Sequence, residues 1–232
     1  SGGVMPQQAV TDLEARLAGS TVIDGVMPLL RDTVPAIDQR TRLSEPTLTL
    51  IGLDPTRLGP FGGLPDQHGK PIGLASLPSD GIVIGATAAD KLDAQVGDVL
   101  TLYVHNQPQQ FSIAAIGQDS LLTGYMPGGS GGLTLPLGRA QALLGTEGLI
   151  SSIEVTNRGG RETGVKRTDA AMQQLDSALA GTPYRAIATK QNDLADAELT
   201  GNMFMTLFLV FGLFSISVGV LLIFLIFVML AA

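Results

Sequence analysis

The side chains that most often carry chemistry are few and scattered in this chain. The two histidines, His68 and His105, are isolated in sequence, and cysteine is absent. A chain without Cys has no disulfides, no thiolate metal sites and no thiol catalysis. Asp66 lies two residues before His68, which we interpret as a surface pair rather than a set of metal ligands. We therefore predict neither a catalytic nor a metal-binding residue.

A glycine-rich stretch at residues 128–132, GGSGG, could be taken for a phosphate-binding loop. A nucleotide-binding loop of that kind needs a lysine after the glycines and a helix that begins there. This stretch lacks the lysine, and no long helix pattern follows it, so we interpret it as a flexible loop. We predict no bound cofactor. The two histidines keep a membrane-anchored hydrolase open as a third interpretation.

The charged residues are confined to residues 1–198, and acidic ones dominate. The chain has 21 Asp and Glu against 14 Lys and Arg, a formal net charge of −7. Nucleic-acid binding needs clustered Lys and Arg to neutralise phosphates, so we expect no nucleic-acid partner. Asp193, Asp196 and Glu198 precede the apolar end of the chain, where we interpret them as a solvated helix face.

Residues 201–232 contain no Asp, Glu, Lys, Arg or His. A helix needs about 20 mostly apolar residues to cross the hydrocarbon core of a bilayer, and it satisfies its backbone polar groups internally. The run therefore predicts a transmembrane helix at about residues 203–229. The helix can begin near residue 191 and continue into this span, with a hinge at Gly201 and Asn202, where it enters the membrane.

Three small residues in the predicted span, Gly212, Ser215 and Gly219, are spaced at i, i+3 and i+7. This spacing places them on one face of a helix, where small side chains let a second membrane helix approach closely. We expect helix packing there; the alternative is a lipid-facing helix in which the small residues are incidental. The span has no ionisable residue, which argues against a proton or ion pathway along this helix.

Hydrophobic periodicity predicts the helices and strands before the span. Helices are predicted at residues 6–18, 86–92, 137–144 and 165–180. Strands are predicted at residues 22–23, 26–30, 34–37, 48–51, 82–84, 133–135, 152–156 and 184–188, with a hairpin of residues 99–105 and 110–116. Prolines 28, 35 and 46 interrupt the early strands, because Pro belongs at strand edges or bulges. Residues 55–80, rich in Pro and Gly, predict a long irregular segment.

These elements predict an α+β fold with two lobes, followed by one transmembrane helix. The membrane-proximal lobe would combine residues 4–54 and 150–190 in a mixed sheet with two packed helices. Residues 55–149 would form an inserted, mainly β lobe around the hairpin. Residues 191–232 would form a long helix that includes the span.

The stretch GIVIGATAADKLDAQVGDVLTLYV, at residues 81–104, and the next strand, FSIAAIG, resemble the extracytoplasmic core domain of ABC transporter permeases of the MacB/FtsX family. That family shows a strand ending in Gly, a short helix, a Val-Gly-Asp turn and two strands. The later stretch GGLTLPLGRAQALLGTEGLISSIEVTN, at residues 131–157, resembles the same family's strand, short helix and strand. The resemblance extends from about residue 10 to the apolar span.

The resemblance implies a permease subunit that forms a dimer in the lipid membrane and works with a separate ABC ATPase subunit on the cytoplasmic side. It implies that residues 1–200 lie on the outer side of the cell membrane. It also implies transmitted motion, in which ATP hydrolysis moves the spans and the long helix carries that motion outwards. We expect no enzymatic activity of this chain itself. The work could be export, lipid or lipoprotein extraction, or control of an outside enzyme.

A single-span, membrane-tethered extracellular binding or adhesion module is the alternative, because it explains an acidic domain with few reactive side chains equally well. The first residues, SGG, and the apolar last residues also lead us to expect a piece of a longer membrane protein. A span before residue 1 and two or more after residue 232 would favour the permease. A short basic tail after one span would favour the tethered module.

Overall fold

The computed structural model describes residues 3–126, 128–159 and 167–188, and single positions between residues 205 and 229. The chain divides into two compact units, Ser1–Arg185 and Ala186–Ala232. In the three continuous ranges the α-helices are α1 (Gln8–Arg16), α2 (Ala86–Leu92), α3 (Leu137–Leu144) and α4 (Thr168–Leu179). The strands are β1 (Met5–Pro6), β2 (Ile23–Asp38), β3 (Ser44–Leu53), β4 (Gly81–Gly85), β5 (Val99–Val104), β6 (Gln107–Gly117), β7 (Gly132–Pro136), β8 (Leu149–Ile150) and β9 (Ser152–Asn157).

Seven strands form one mixed sheet in the order β3-β7-β4-β6-β5-β2-β9. β2 also pairs with β3, so six strands close into a ring and β9 lies outside it. β3 runs parallel to β7 and β4 parallel to β6, whereas the other neighbours are antiparallel. β1 and β8 form a separate two-stranded sheet. The mixed sheet and the helices confirm the predicted α+β class.

The strand predicted at residues 48–51 is present within β3. The predicted division of the earlier residues into three short strands is wrong, because β2 is one continuous strand of 16 residues. It contains Pro28, which lies opposite Ile153 of β9. It also contains Pro35, which has no partner in the register because the pairing with β3 shifts between Val34 and Ala36. A proline at such an irregularity removes no ladder hydrogen bond, so the strand continues through it. The length of β2 lets it join β9, β3 and β5.

The sheet crosses the lobe boundaries predicted near residues 54 and 150. β3, from the first segment, pairs with β7, and β2 pairs with β5. Strands of both predicted lobes therefore share one sheet. The short local elements match their predicted positions. α2 and α3 have the predicted bounds, and β5 and β6 form the predicted hairpin.

The prediction of a strand at residues 184–188 is wrong. These residues alternate between half-buried and exposed side chains, but none of them pairs with a strand in the described part of the chain. Alternation alone does not make a strand, because its backbone N–H and C=O groups also need a hydrogen-bonded neighbour. The helix predicted at residues 165–180 is present as α4, and positions 165 and 166 lie outside the described residues.

Apolar side chains pack on both faces of the sheet. One core combines α1, α2 and α3 with strand residues such as Leu50 and Ile84. Ile51 and Val83 belong to a second core, because successive strand residues point to opposite faces. Leucines of residues 55–80 complete that second core. The segment is irregular, as predicted, and it also covers one face of the sheet.

Candidate functional site

Most residues predicted to act in the membrane lie outside the described part of the chain. These are Gly201 and Asn202 of the hinge, and Gly212 and Ser215 of the small-residue stripe. Gly219 is helical, and no side chain of a described residue lies within 4 Å of the position its Cβ would take. The hinge and the stripe therefore stay predictions.

Beyond residue 188, the second unit contributes single described positions between residues 205 and 229, all of them helical. Their exposed apolar side chains are Met205, Phe208, Phe211, Phe214, Val218, Leu221, Ile223, Ile226, Val228 and Met229. Among the residues that the structure describes, no helix has both the length and the apolar character required to cross a bilayer. The span at about residues 203–229 remains a prediction from the sequence.

In the first unit, a group of charges is centred on Arg57, and we call it the Arg57 cluster: Arg57, Glu14, Asp54 and the carbonyl of Val26. The two terminal guanidinium nitrogens donate to the two carboxylate oxygens of Glu14, Nη2 at 3.2 Å. Nε donates to Asp54 Oδ2 at 3.2 Å, and Nη1 donates to the Val26 carbonyl at 3.0 Å. The hydrogen bond to Glu14 first, and then the charges of Glu14 and Asp54, raise the pKa of Arg57 above its ordinary value. The cluster joins α1, β2 and the turn after β3.

Helix α4 makes one hydrogen bond to α1 and one to the residues just after α1. Ser20 Oγ, just after α1, donates to Gln174 Oε1 at 2.6 Å. Arg16 Nη1 donates to the carbonyl of Ala178 at 2.7 Å. A groove remains between the two segments, lined by polar and small residues of both and by Leu17. Helix α1 therefore links α4 to the sheet, and the Arg57 cluster is the charged part of that link.

Replacing Arg57 with Met is expected to lower the free energy of unfolding by about 1–2 kcal/mol. Met keeps an apolar stem but removes the Arg57 donor from Glu14, from Asp54 Oδ2 and from the Val26 carbonyl. Hydrogen bonds to charged groups contribute about 1.5–3 kcal/mol each, and we reduce the sum because the Arg57 and Glu14 side chains are 31% and 37% exposed. Chemical denaturation followed by circular dichroism measures the change.

Arg31→Met is the matched control for the Arg57 variant. Arg31 is exposed, and only its backbone makes the hydrogen bonds described for it. Surface substitutions of this kind change stability by about 0.5 kcal/mol at most. Because the pKa of Arg57 is raised, Arg57 contributes fully to the free energy of unfolding below the ordinary guanidinium pKa, and this contribution is lost only above it. The stability lost in Arg57→Met should therefore be equal at pH 6 and pH 9. Equal losses of unfolding free energy in Arg57→Met and Arg31→Met would contradict a stabilising role of the Arg57 cluster.

The stretch at residues 128–132 also fits the letters G-x-S-x-G of a hydrolase nucleophile, a match that sequence reasoning missed. Ser130 Oγ donates to Glu45 Oε1 at 2.8 Å, and it lies 3.1 Å from Thr47 Oγ1 and 3.3 Å from Lys91 Nζ. No histidine is among these partners in the described structure. Ser130 also precedes strand β7, whereas a nucleophile elbow joins a strand to a following helix. We interpret Ser130 as a residue that fixes its loop to β3 and α2.

The two histidines occupy turns. Asp66 Oδ1 accepts the backbone N–H groups of His68 and Lys70, each at 2.8 Å. These bonds lower the pKa of Asp66, with the Lys70 N–H as the largest cause. His105 lies in the β5–β6 turn with φ of 49°. Within the described ranges, no three His, Asp or Glu residues are grouped so as to hold a metal ion.

No known family model matches the chain, and no curated protein matches it in sequence. Solved structures do match. The likeness is one of fold. The chain is similar to the extracellular domain of the noncanonical ABC-type transporter YknZ from Gram-positive bacteria, with 14% identity and a TM-score of 0.47 over 75% of this chain and 83% of that chain.

Two further solved structures are similar to this chain. One is the periplasmic region of MacB from Actinobacillus actinomycetemcomitans, with 16% identity and a TM-score of 0.48 over 75% of this chain and 74% of that chain. The other is a domain of a permease protein from Porphyromonas gingivalis, with 15% identity and a TM-score of 0.42 over 70% of this chain and 68% of that chain.

Proposed function

We propose that this chain is the extracytoplasmic domain and an adjoining transmembrane helix of an ABC transporter permease subunit. The observation that carries the proposal is the order of elements in the two segments that resemble the MacB/FtsX family. β4, α2, the turn at residues 96–98 and the β5–β6 hairpin follow one another in that order, and β7, α3 and β9 follow later. The uncharged run at residues 201–232 supports the membrane part.

In the proposed mechanism the domain transmits motion and performs no chemistry. A separate ABC ATPase subunit hydrolyses ATP on the cytoplasmic side, and the membrane helices of a permease dimer move in response. A helix rises about 1.5 Å per residue, so residues 191–232 would reach on the order of 60 Å if continuous. That length suffices to connect the inner face of the cell membrane with residues 1–200 outside it.

Inside the domain, we propose that the motion passes from α4 to α1 and then to the sheet. The bonds of Ser20 and Arg16 to α4 make the first contact. The Arg57 cluster makes the second, because it holds Glu14 of α1 against β2 and the turn after β3. The work that the motion performs would be export, extraction of a lipid or lipoprotein, or signalling to an outside partner.

The test is co-purification of the full-length protein with an ATPase subunit, followed by an ATPase assay and a measurement of outer-domain motion. This chain has no Cys, so Val96→Cys places a single fluorescent label on it, at a side chain that is 61% exposed. ATP should change the label's fluorescence. Gly201→Pro should abolish that change, because Pro breaks a helix. Gly201→Ala, which favours helix, should retain it.

Two results would contradict the proposal. If no ATPase subunit co-purifies with the full-length protein, the tethered binding module becomes the better explanation. If an ATPase subunit is present and Gly201→Pro leaves the ATP-dependent signal untouched, the permease assignment stands and the mechanism of transmitted motion is wrong.

A further inference from the structure

Residues 58–77 lie across the second core and contain neither an α-helix nor a strand of the sheet, and we call them the strap. The 3₁₀ turn Gly59–Phe61 contacts β2, and the 3₁₀ turn Leu74–Ser76 contacts β7. β3 pairs with both of these strands and lies between them. The strap therefore covers one face of three neighbouring strands of the ring.

Hydrogen bonds within the strap fold it onto itself. The Ile72 N–H donates to the Leu64 carbonyl at 2.7 Å. The turn between these two residues is closed by the Asp66 N–H, which donates to the Lys70 carbonyl at 2.7 Å. Backbone groups that are paired inside the strap need no partner in the sheet.

The strap has one polar attachment to the rest of the described chain. The Pro65 carbonyl accepts the Gln118 N–H at 2.9 Å, and Asp66 forms an isolated β-bridge with Gly117 at the same place. The strands beneath the strap are instead held to each other by continuous ladders. Lifting the strap therefore breaks few hydrogen bonds, whereas separating the strands breaks many.

Apolar side chains make the rest of the attachment. Leu58, Leu64 and Leu74 are buried in the second core with Ile51 of β3. Hydrophobic attraction is non-directional, so it holds the strap in place without fixing a register. The strap regains much conformational freedom when it lifts, because residues 59, 62, 63, 69 and 73 are glycine. These properties are typical of a segment that opens separately from the rest of its domain.

The two ends of the strap are fixed to different helices. Arg57, just before the strap, is bonded to Glu14 of α1. Just after the strap, Arg139 of α3 donates from Nη1 to the Pro78 carbonyl at 2.9 Å and from Nη2 to the Gly81 carbonyl at 3.0 Å. A shift of α1 relative to α3 therefore changes the distance between the two ends of the strap.

We propose that the strap detaches from the sheet as one unit, and that movement of α1 relative to α3 drives the detachment. The second part rests on the proposed function, in which motion passes from α4 to α1. Because Arg57 is bonded to α1, that motion reaches the start of the strap while Arg139 holds its end. Detachment uncovers an apolar face of β3, formed by Ile51 and Leu53, that the strap otherwise hides.

Thiol labelling on the two faces of β3 tests the detachment. The chain has no Cys, so Ile51→Cys and Leu50→Cys each introduce one thiol. Both positions are fully buried, Ile51 in the second core beneath the strap and Leu50 in the first core on the opposite face. In this chain in lipid vesicles, a water-soluble maleimide should label Ile51→Cys at least about tenfold faster than Leu50→Cys, which reacts only when the sheet itself opens. Equal rates overturn the proposal.

Thiols on the strap test whether it moves as one unit. Leu64→Cys and Leu74→Cys place single thiols at two separate points of the strap, at side chains that are 1% and 2% exposed. One opening exposes both, so their labelling rates should agree with each other and with that of Ile51→Cys within about threefold. Fast labelling at one of the two, with the rate of Leu50→Cys at the other, would show separate local fluctuations and overturn detachment as a unit.

Labelling in the presence of ATP tests the drive by α1. In the full-length protein with its ATPase subunit, ATP should raise the labelling rate of Ile51→Cys at least about fivefold, the low end of couplings between distant sites, and leave Leu50→Cys unchanged. Arg57→Met separates the strap from α1 and should abolish the increase. Arg31→Met, an exposed position, is the matched control and should retain it. An active complex in which ATP leaves Ile51→Cys labelling unchanged, or raises it equally in Arg57→Met, overturns the drive by α1.

The two kinds of labelling separate this inference from the function on which its second part rests. If no ATPase subunit co-purifies, the permease proposal fails, and faster labelling of Ile51→Cys than of Leu50→Cys without ATP still supports a detachable strap. If an ATPase subunit is present and active but Ile51→Cys and Leu50→Cys are labelled equally, the strap proposal is wrong and the permease proposal stands.

Discussion

Replacing Gly132 with alanine is expected to lower the free energy of unfolding by about 3 kcal/mol. Gly132 begins β7 and lies opposite Thr49 of β3. A Cβ at Gly132 would lie 2.3 Å from the Thr49 carbonyl oxygen and 2.8 Å from both Gly124 Cα and the Thr123 carbonyl oxygen. All three are backbone atoms, so no side-chain rotation relieves the overlap. β7 would have to move away from β3 at a point where the ring of six strands closes.

Gly138→Ala is the matched control for the Gly132 variant. Gly138 lies in α3, and apart from the adjoining helix backbone no described residue has an atom within 4 Å of the position its Cβ would take. The same substitution should therefore stabilise the protein there, by up to about 1 kcal/mol, because Ala favours helix over Gly. Chemical denaturation followed by circular dichroism compares the two. Similar effects of the same sign at both sites would contradict the close approach of β7 and β3.

Local sequence patterns predict the elements whose signals lie within a few neighbouring residues. The bounds of α2 and α3 and the β5–β6 hairpin belong to this class. The closed ring does not, because it depends on pairing between distant segments. Ala36 pairs with Glu45 on one side and with Leu102 on the other, and no local periodicity encodes that register. The strand prediction failed at the prolines for the same reason. β2 accommodates Pro35 because its pairing with β3, a separate segment, shifts register there.

The burial of the leucines in residues 55–80 could not be predicted from local sequence patterns. Its Pro and Gly content correctly predicts irregular structure, and its leucines carry no period that would place them in a core. The structure buries Leu64 and Leu74 against Ile51 and Val83 of the sheet. Whether an irregular segment covers a core depends on the apolar face it meets, and that face becomes known only when the sheet is assembled.

The Arg57 cluster could be predicted only in part. Asp54 and Arg57 flank a short turn in the sequence, and that spacing predicts their local contact. Glu14 is 43 residues away from Arg57 on α1, so its pairing with Arg57 requires the tertiary fold. The predicted membrane helix is the opposite case, because its signal is composition over many residues and needs no partner. The proposed function therefore depends on two kinds of feature. Sequence composition predicts the membrane helix, whereas the link between α1 and the sheet is known only from the tertiary fold.

Replacing Gly52 with alanine is expected to lower the free energy of unfolding by about 2 kcal/mol. Gly52 lies in β3 beneath α3, and its Cβ would lie 2.6 Å from Ala140 Cβ and 3.3 Å from Leu30 Cβ. Ala140 is fully buried, and a methyl group has no rotation that removes the overlap. The helix would have to rise from the sheet, which loosens the core that α3 shares with β2 and β3. Chemical denaturation measures the loss.

Ala140→Gly should partly reverse the effect of Gly52→Ala, although it is destabilising alone. The single change costs about 1 kcal/mol in helix propensity, with a further loss for the buried methyl. In the double variant the 2.6 Å contact is gone, so the combined loss should be at least about 1 kcal/mol smaller than the sum of the two single losses. Ala142→Gly is the control: it has the same propensity cost on α3, but Ala142 is exposed and should add independently to Gly52→Ala. Additive losses in the Ala140 pair would show that α3 does not rest on Gly52, because only a shared contact makes the two changes depend on each other.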